Sequence, residues 1–219
     1  MAKNVTLLLE DGTRFNGQSF GYESPVAGEV VFNTAMMGYP ESLTDPSYAG
    51  QIMTLTYPMV GNYGVPPCSV GDNGISDFME SDKIHATAII VSDYSTEYSH
   101  WNAKESLAQW LKREKIAGVT GIDTRQLTKT LREHGVMMGK ILFDDQPDNI
   151  PEADYEGVNF VDRVSCKTRE PVPKDKIFDV MHEIDRAVCN APLRIGDILI
   201  DDCAGTGIPV VATKGVETA

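Results

Sequence analysis

Nucleophilic catalysis needs a thiol or hydroxyl with a base beside it and a third group to orient the base. Cys68, Cys166, Cys189 and Cys203 are widely scattered, with no Cys-x-x-Cys pair. That spacing reads as reduced thiols rather than a metal site or a disulfide framework. Cys166, Cys189 and Cys203 lack the glycine-flanked setting of a strained nucleophile turn. His182 is the only histidine after His134 and precedes Cys189 by one helical segment. We therefore expect no catalytic residue and no metal ligand. Asp45-Pro46-Ser47 is good turn chemistry. Gly61-Asn62-Tyr63-Gly64 reads as a tight loop, with a backbone nest for an anion as the alternative. Asp123-Thr124-Arg125 reads as a helix cap followed by a surface or interface arginine, with a charged active-site triplet as the alternative. His100-Trp101 precedes a helix, where a packing aromatic beside a solvated histidine is the default. The acidic run Asp144-Asp145 with Asp148 reads as solvated surface.

The elements that must position these residues follow from pattern. Residues 5–9 and 13–20 form a hairpin about Asp11-Gly12. Residues 28–33 are a strand, 34–50 a long loop by composition, 51–57 a strand and 58–67 another loop. Residues 86–91 suit a buried strand. A helix over 102–115 takes Asn102 as cap and Glu105 as its reciprocal partner, with Ala103, Leu107, Trp110 and Leu111 on one face. Residues 116–119 are a short strand. Asp123 caps a second helix that carries Leu127 and Leu131 and stops at Gly135, and 140–143 is the next strand. Both helices are expected on one face of the same sheet. This is a mixed α/β domain over residues 1–145. Residues 146–172 read as an exposed linker. Residues 173–219 read as a small α-β-β tail unit, with a helix from near Pro173 and strands at 197–200 and 208–212.

The net charge of -13 argues against a nucleic-acid or anionic-membrane surface, since phosphates would be repelled. No apolar run reaches membrane-spanning length, and the first residues lack a signal-peptide layout. The expectation is a cytoplasmic chain.

Longer stretches resemble a known family. Leu9-Glu10-Asp11-Gly12-Thr13, Gly28-Glu29-Val30-Val31-Phe32-Asn33-Thr34, Gly38-Tyr39, Leu43-Thr44-Asp45-Pro46-Ser47-Tyr48, Thr54-Leu55-Thr56-Tyr57-Pro58 and Gly61-Asn62-Tyr63-Gly64 are similar to the N-terminal part of carbamoyl-phosphate synthase small subunits. So are Gly121-Ile122-Asp123-Thr124-Arg125 and Leu131-Arg132-Glu133, and Asn159 to Val164 is the last trace. The family usually has a small or hydroxyl residue in place of Met37, glutamine in place of Pro40 and histidine in place of Met59.

The resemblance implies a three-layer β/β/α swivelling domain, non-catalytic in itself. In the family it docks on a large subunit and packs against a glutaminase domain, and the enzyme makes carbamoyl phosphate from glutamine, bicarbonate and ATP for pyrimidine and arginine synthesis. The resemblance further implies that Ser47 reaches the bound glutamine in the intact enzyme. No cofactor is implied for this chain, because ATP and magnesium belong to the large subunit. The glutaminase half, with its Gly-x-Cys-x-Gly turn, is expected to be absent.

From about Lys167 a second resemblance takes over. Residues 170–178, 195–198 and 205–213 are similar to the ends of small cysteine-rich bacterial proteins found beside flavin-dependent oxidoreductases. The chain therefore reads as a fusion. The alternative function is an inactive fragment with a redox-associated tail.

Overall fold

The computed structural model describes residues 3–69, 76–144, 150, 153, 155, 157–165 and the strands at 198–201 and 210–213. Strands β1 (Asn4–Leu9) and β2 (Arg14–Ser19) pair antiparallel. Gly12 takes the positive φ of 87° that the turn requires. Beside it the Asp11 carboxylate accepts from the Thr13 amide at 2.8 Å and the Thr13 hydroxyl at 2.9 Å. Alternation in β1 buries Val5, Leu7 and Leu9.

The remaining main strands are β3 (Val26–Asn33), β4 (Gln51–Leu55), β6 (Ala88–Ile90), β8 (Ala117–Thr120) and β9 (Met137–Phe143). They close with β1 and β2 into a barrel in the order β1-β2-β8-β6-β4-β3-β9. β3, β4, β6 and β8 run parallel, and the hairpin and β9 are antiparallel to their neighbours. The expected mixed α/β class stands, with its strands gathered into one closed sheet. A separate parallel pair joins β5 (Met59–Val60), inside the stretch 58–67 expected to be loop, to β7 (Asp93–Tyr94).

Two apolar clusters flank the parallel strands. One holds Val5, Leu7, Ile52, Ile90, Val119 and Phe143, and the other holds Met53, Leu55, Ile89 and Val91. Parallel strands buried on both faces read as continuous apolar runs for this reason. Helix α2 (Leu107–Arg113) packs Leu107, Trp110 and Leu111 into the second cluster, whereas α3 (Thr124–His134) packs Leu127 and Leu131 into the first. The expectation that both helices share one face is thus overturned. The connection through α2 returns to a parallel neighbour, but the chain after α3 must reach β9, which lies between β1 and β3 across the barrel.

Helix ends were read with mixed success. α3 is capped as expected: the Asp123 carboxylate accepts from the Gln126 amide at 2.8 Å, and Gly135 ends the helix at φ 85°. α2 is shorter than expected. Ser106 and Gln109 form its capping box rather than Asn102 and Glu105. Glu105 instead pairs with Arg113 at 2.5 Å, and its backbone bridges to Val65.

Within the stretch expected to be an exposed linker, Tyr155 and Phe160 of the short helix α4 (Phe160–Val164) pack against each other and onto Gly50. Tyr155 accepts from the Glu29 amide at 2.8 Å and donates to the Gly50 carbonyl. Gly50 has φ +84°, and a Cβ there would lie 2.6 Å from the Phe160 ring. Further on, β10 (Ile198–Asp201) and β11 (Val210–Thr213) pair antiparallel, as short connections demand. The helix expected from near Pro173 and the cysteines Cys166, Cys189 and Cys203 lie outside the described residues. No helix among the described residues is long and apolar enough to cross a membrane.

Candidate functional site

Between β3 and β4, residues 34–50 were expected to be loop throughout. They contain a helix, α1 (Tyr39–Thr44), with proline in its first turn, and then a 3-10 turn over Pro46–Tyr48. Pro40 suits this place because a first-turn residue needs no amide partner. Tyr39 and Leu43, one helical turn apart, are both buried.

Asn33, at the end of β3, organises the segment. Its side-chain amide donates to the Ser42 hydroxyl and to the Tyr48 hydroxyl, each at 3.2 Å. Its side-chain carbonyl accepts from the Ala35 amide at 2.7 Å, and its backbone carbonyl accepts from the Thr56 amide at 3.0 Å. Thr44 ties the end of α1 to the next strand's approach. Its hydroxyl donates to the Pro40 carbonyl at 2.9 Å and accepts from the Glu80 amide at 3.0 Å, while Ser81 donates to its carbonyl at 2.6 Å.

Ser47 sits in the 3-10 turn, exposed, with its amide held at 2.8 Å by the Asp45 carboxylate. The expected turn chemistry is therefore present, on an exposed residue. The surroundings are acidic. Burial raises the Glu80 carboxyl above its ordinary pKa, and the charges of Asp45 and Glu41 push the same way. His85 donates its amide to the Leu43 carbonyl at 2.9 Å, and partial burial lowers its imidazole pKa.

Gly61-Asn62-Tyr63-Gly64 is a turn, with the Gly64 amide donating to the Gly61 carbonyl at 3.0 Å. Tyr63 leaves it to stack on Tyr39, with ring centroids 4.2 Å apart. Asp123 acts as the cap of α3 and Arg125 is exposed, as the helix-cap reading expects. His100 is exposed as expected. Trp101 is 85% exposed, which overturns its reading as a packing aromatic. The reason is the late start of α2, which leaves residues 100–105 outside the helix. Asn33 and Tyr63 were missed as organisers. Their signal lay in their separation from Tyr48 and Tyr39, which sequence spacing does not convey.

A cleft of about 230 Å³ lies elsewhere, lined by Leu8, Gly12, Ala27, Met138, Lys140 and Ala153 among others. It contains none of the residues of the Ser47 turn.

Residues 7–141 match the family model "Carbamoyl-phosphate synthase small chain, CPSase domain", and the chain belongs to that family. Residues 156–214 match a second model, "Protein of unknown function (DUF1667)". The chain is 48% identical over 167 residues to the carbamoyl-phosphate synthase [ammonia], mitochondrial, of Mus musculus, covering 76% of this chain and 11% of that one. It is 47% identical over 167 residues to the arginine-specific small chain of Candida albicans, covering 74% and 39%. It is 45% identical over 173 residues to the small chain of the same name from Eremothecium gossypii, covering 78% and 43%. The chain thus spans less than half the length of these relatives. A match covering 78% of 219 residues takes in 155–165 wherever it begins, so Tyr155 and Phe160 fall within it. An aminopeptidase from Aneurinibacillus sp. strain AM-1 shares a TM-score of 0.36 at 15% identity over 65% of this chain and 32% of its own, too slight a likeness to argue from.

Proposed function

We propose that this chain acts as the N-terminal, non-catalytic domain of a carbamoyl-phosphate synthase small chain and docks on the large chain. The observation that carries the reading is the family match over residues 7–141 together with the intact lattice from Asn33 to Tyr48 that holds the exposed Ser47 turn. In this reading the barrel with its flanking helices is the β/β/α swivelling domain. Ser47 contacts glutamine only when a glutaminase domain, supplied separately, closes the site. The 219 residues contain no Gly-x-Cys-x-Gly turn, so hydrolysis falls to that other part. ATP and magnesium remain with the large chain.

Relatives named for ammonia and relatives named arginine-specific both match over about three quarters of this chain. A domain that recurs under both names suits a docking role better than a hydrolytic one. The arginine-specific names favour arginine synthesis, with pyrimidine synthesis the other branch, in the cytoplasm. Neither nucleic acid nor membrane is a partner in this reading, given the charge of -13.

A second reading takes the chain as an inactive fusion whose tail belongs to a redox-associated protein. The match of residues 156–214 to the second family favours it. Co-purification with a synthase large chain separates the two. Stoichiometric capture supports docking, and its absence supports the fragment. In a glutaminase assay the chain alone is expected to release no ammonia; turnover abolished by Cys189→Ser or Cys203→Ser would refute the non-catalytic assignment.

A further inference from the structure

Large apolar side chains are exposed on one side of the molecule. Met36 is 70% exposed, Met37 77%, Met59 45% and Tyr57 40%. These four line one shallow groove with Tyr63 at its floor. Tyr63 makes an edge contact with His100 at 6.2 Å, and His100 lies 5.6 Å from the ring of Trp101. The apolar surface therefore runs on from the groove to Trp101. Exposed patches of this kind mark interaction sites, and methionine gives such a surface an adaptable shape.

Charge defines the rim. From Val31 to Lys104 the sequence has two Lys or Arg, Lys83 and Lys104, against Glu41, Asp45, Asp72, Asp77, Glu80, Asp82, Asp93 and Glu97. Two of these acids lie beside the groove's methionines. The Glu41 carboxylate reaches within 3.7 Å of the Cβ position of Gly38, next to Met37. Asp93 is the strand partner of Met59. Both acids are exposed. The resemblance implies a small or hydroxyl residue at the place of Met37 and histidine at that of Met59, so both methionines depart from the family's pattern.

We infer that the face of Met36, Met37, Met59 and Trp101 docks a protein segment that presents apolar side chains flanked by lysine and arginine. This rests on the docking reading above and adds which face is used and what chemistry meets it. An acidic rim repels an anionic membrane, and it repels a second copy of itself. A basic amphipathic segment satisfies both the groove and the rim.

Trp101 reports on the face, because Trp110 is buried at 4% and supplies a constant background. The full chain is titrated with two synthetic amphipathic peptides of about 16 residues that share one Leu/Phe face, one with Lys/Arg flanks and one with Glu flanks. The basic peptide is expected to give a saturable blue shift that weakens about tenfold between ~50 and ~300 mM NaCl. The double variant Met37→Glu/Met59→Glu is expected to bind it at least about tenfold more weakly, with an unchanged circular dichroism spectrum because both side chains are exposed. No saturable response, an equal response to the acidic peptide, or unchanged binding by the variant overturns the inference. So does a concentration-dependent dimer that the variant abolishes. The same variant separates this inference from the docking reading. If wild type and variant capture the large chain equally, docking stands and this face is wrong. If wild type binds the basic peptide but not the large chain, the face stands and the partner is another basic protein.

Discussion

Tyr39 and Tyr63 exchange hydrogen bonds with each other's backbone neighbourhood across a stacked ring pair. The Tyr63 hydroxyl accepts from the Gly38 amide at 2.8 Å and the Tyr39 amide at 3.1 Å, while the Tyr39 hydroxyl donates to the Gly64 carbonyl at 2.5 Å. Two amides at the start of α1, which the helix itself cannot satisfy, are thereby served by a side chain from a different loop. Burial and the neighbouring tyrosine raise the Tyr39 phenol well above its ordinary pKa, so it stays a donor at neutral pH.

Tyr63→Phe keeps the stack and removes the acceptor. The expected loss is about 1–3 kcal/mol, because two partly buried amides lose their partner. Tyr39→Phe should cost about 1 kcal/mol. Urea denaturation of both single variants and the double variant measures this. Strict additivity would show that the two hydroxyls act independently and that the clasp is not a unit.

Asn33→Ala removes the donor to Ser42 and Tyr48 and the acceptor for Ala35. Amide exchange over residues 34–48 is expected to speed up by about tenfold or more, with exchange in β6 unchanged. Uniform acceleration through the barrel would mean that Asn33 is a general stabiliser and not the organiser of the Ser47 turn.

Gly50→Ala places a methyl group against the Phe160 ring at a positive φ and should cost about 2 kcal/mol or more. Part of that cost comes from the ring. Phe160→Ala in the same chain should recover part of it, since a smaller residue relieves the clash but not the backbone strain. Thermal unfolding of the three variants tests the contact. Full additivity would show that residues 155–164 do not rest on Gly50 in solution.

Thr54 is fully buried in β4, and its hydroxyl has no hydrogen-bond partner among the described residues. By the alternation of the strand it faces the same side as Ile52. Thr54→Val replaces an unsatisfied hydroxyl by a methyl group of similar shape. It should stabilise by about 1 kcal/mol. A destabilised variant would point to a partner for that oxygen, such as a buried water.

Glu80 has a raised carboxyl pKa when folded, chiefly through burial. The protonated form therefore favours the folded state. That stability is fully present below the unfolded pKa and is lost as pH rises through the folded value. Glu80→Gln should then stabilise the protein at pH ~7 by a few tenths of a kcal/mol after solvent screening, and have no effect at pH ~3. Equal effects at both pH values would show that the carboxylate is not destabilised by its surroundings.

The hairpin at Asp11-Gly12 and the helix from Asp123 to Gly135 were legible because each is announced by residues adjacent in sequence. α1 was hidden because glycine, proline and serine lower local helix propensity, and only the spacing of Tyr39 and Leu43 hinted at it. The start of α2 was misplaced because two capping boxes compete, Asn102 with Glu105 and Ser106 with Gln109, and the pairing of Val65 with Glu105 decides between them. The side of the sheet taken by each helix could not be read. Ile52 and Met53, or Ile89 and Ile90, are equally apolar on both faces. Closure of the barrel depends on β2 meeting β8 and β1 meeting β9, pairings that no local pattern encodes. The turn that carries Ser47 was legible from Asp45-Pro46-Ser47 itself. Its lattice was not, because Asn33, Tyr48 and Tyr63 act through side-chain reach across loops.

The pairing of β1 with β9 sets a timetable for synthesis. Leu9 leaves the ribosome well before its partner Gly139, so the outer edge of β1 stays open while the intervening chain is made. At ordinary translation rates of 5–20 residues per second, that interval is roughly 6 to 25 s. During it the edge carries Val5, Leu7 and Leu9 beside unpaired backbone groups, a template for a wrong strand on a neighbouring nascent chain. The barrel therefore closes late, and a holding chaperone on the ribosome has most to offer this chain before β9 emerges.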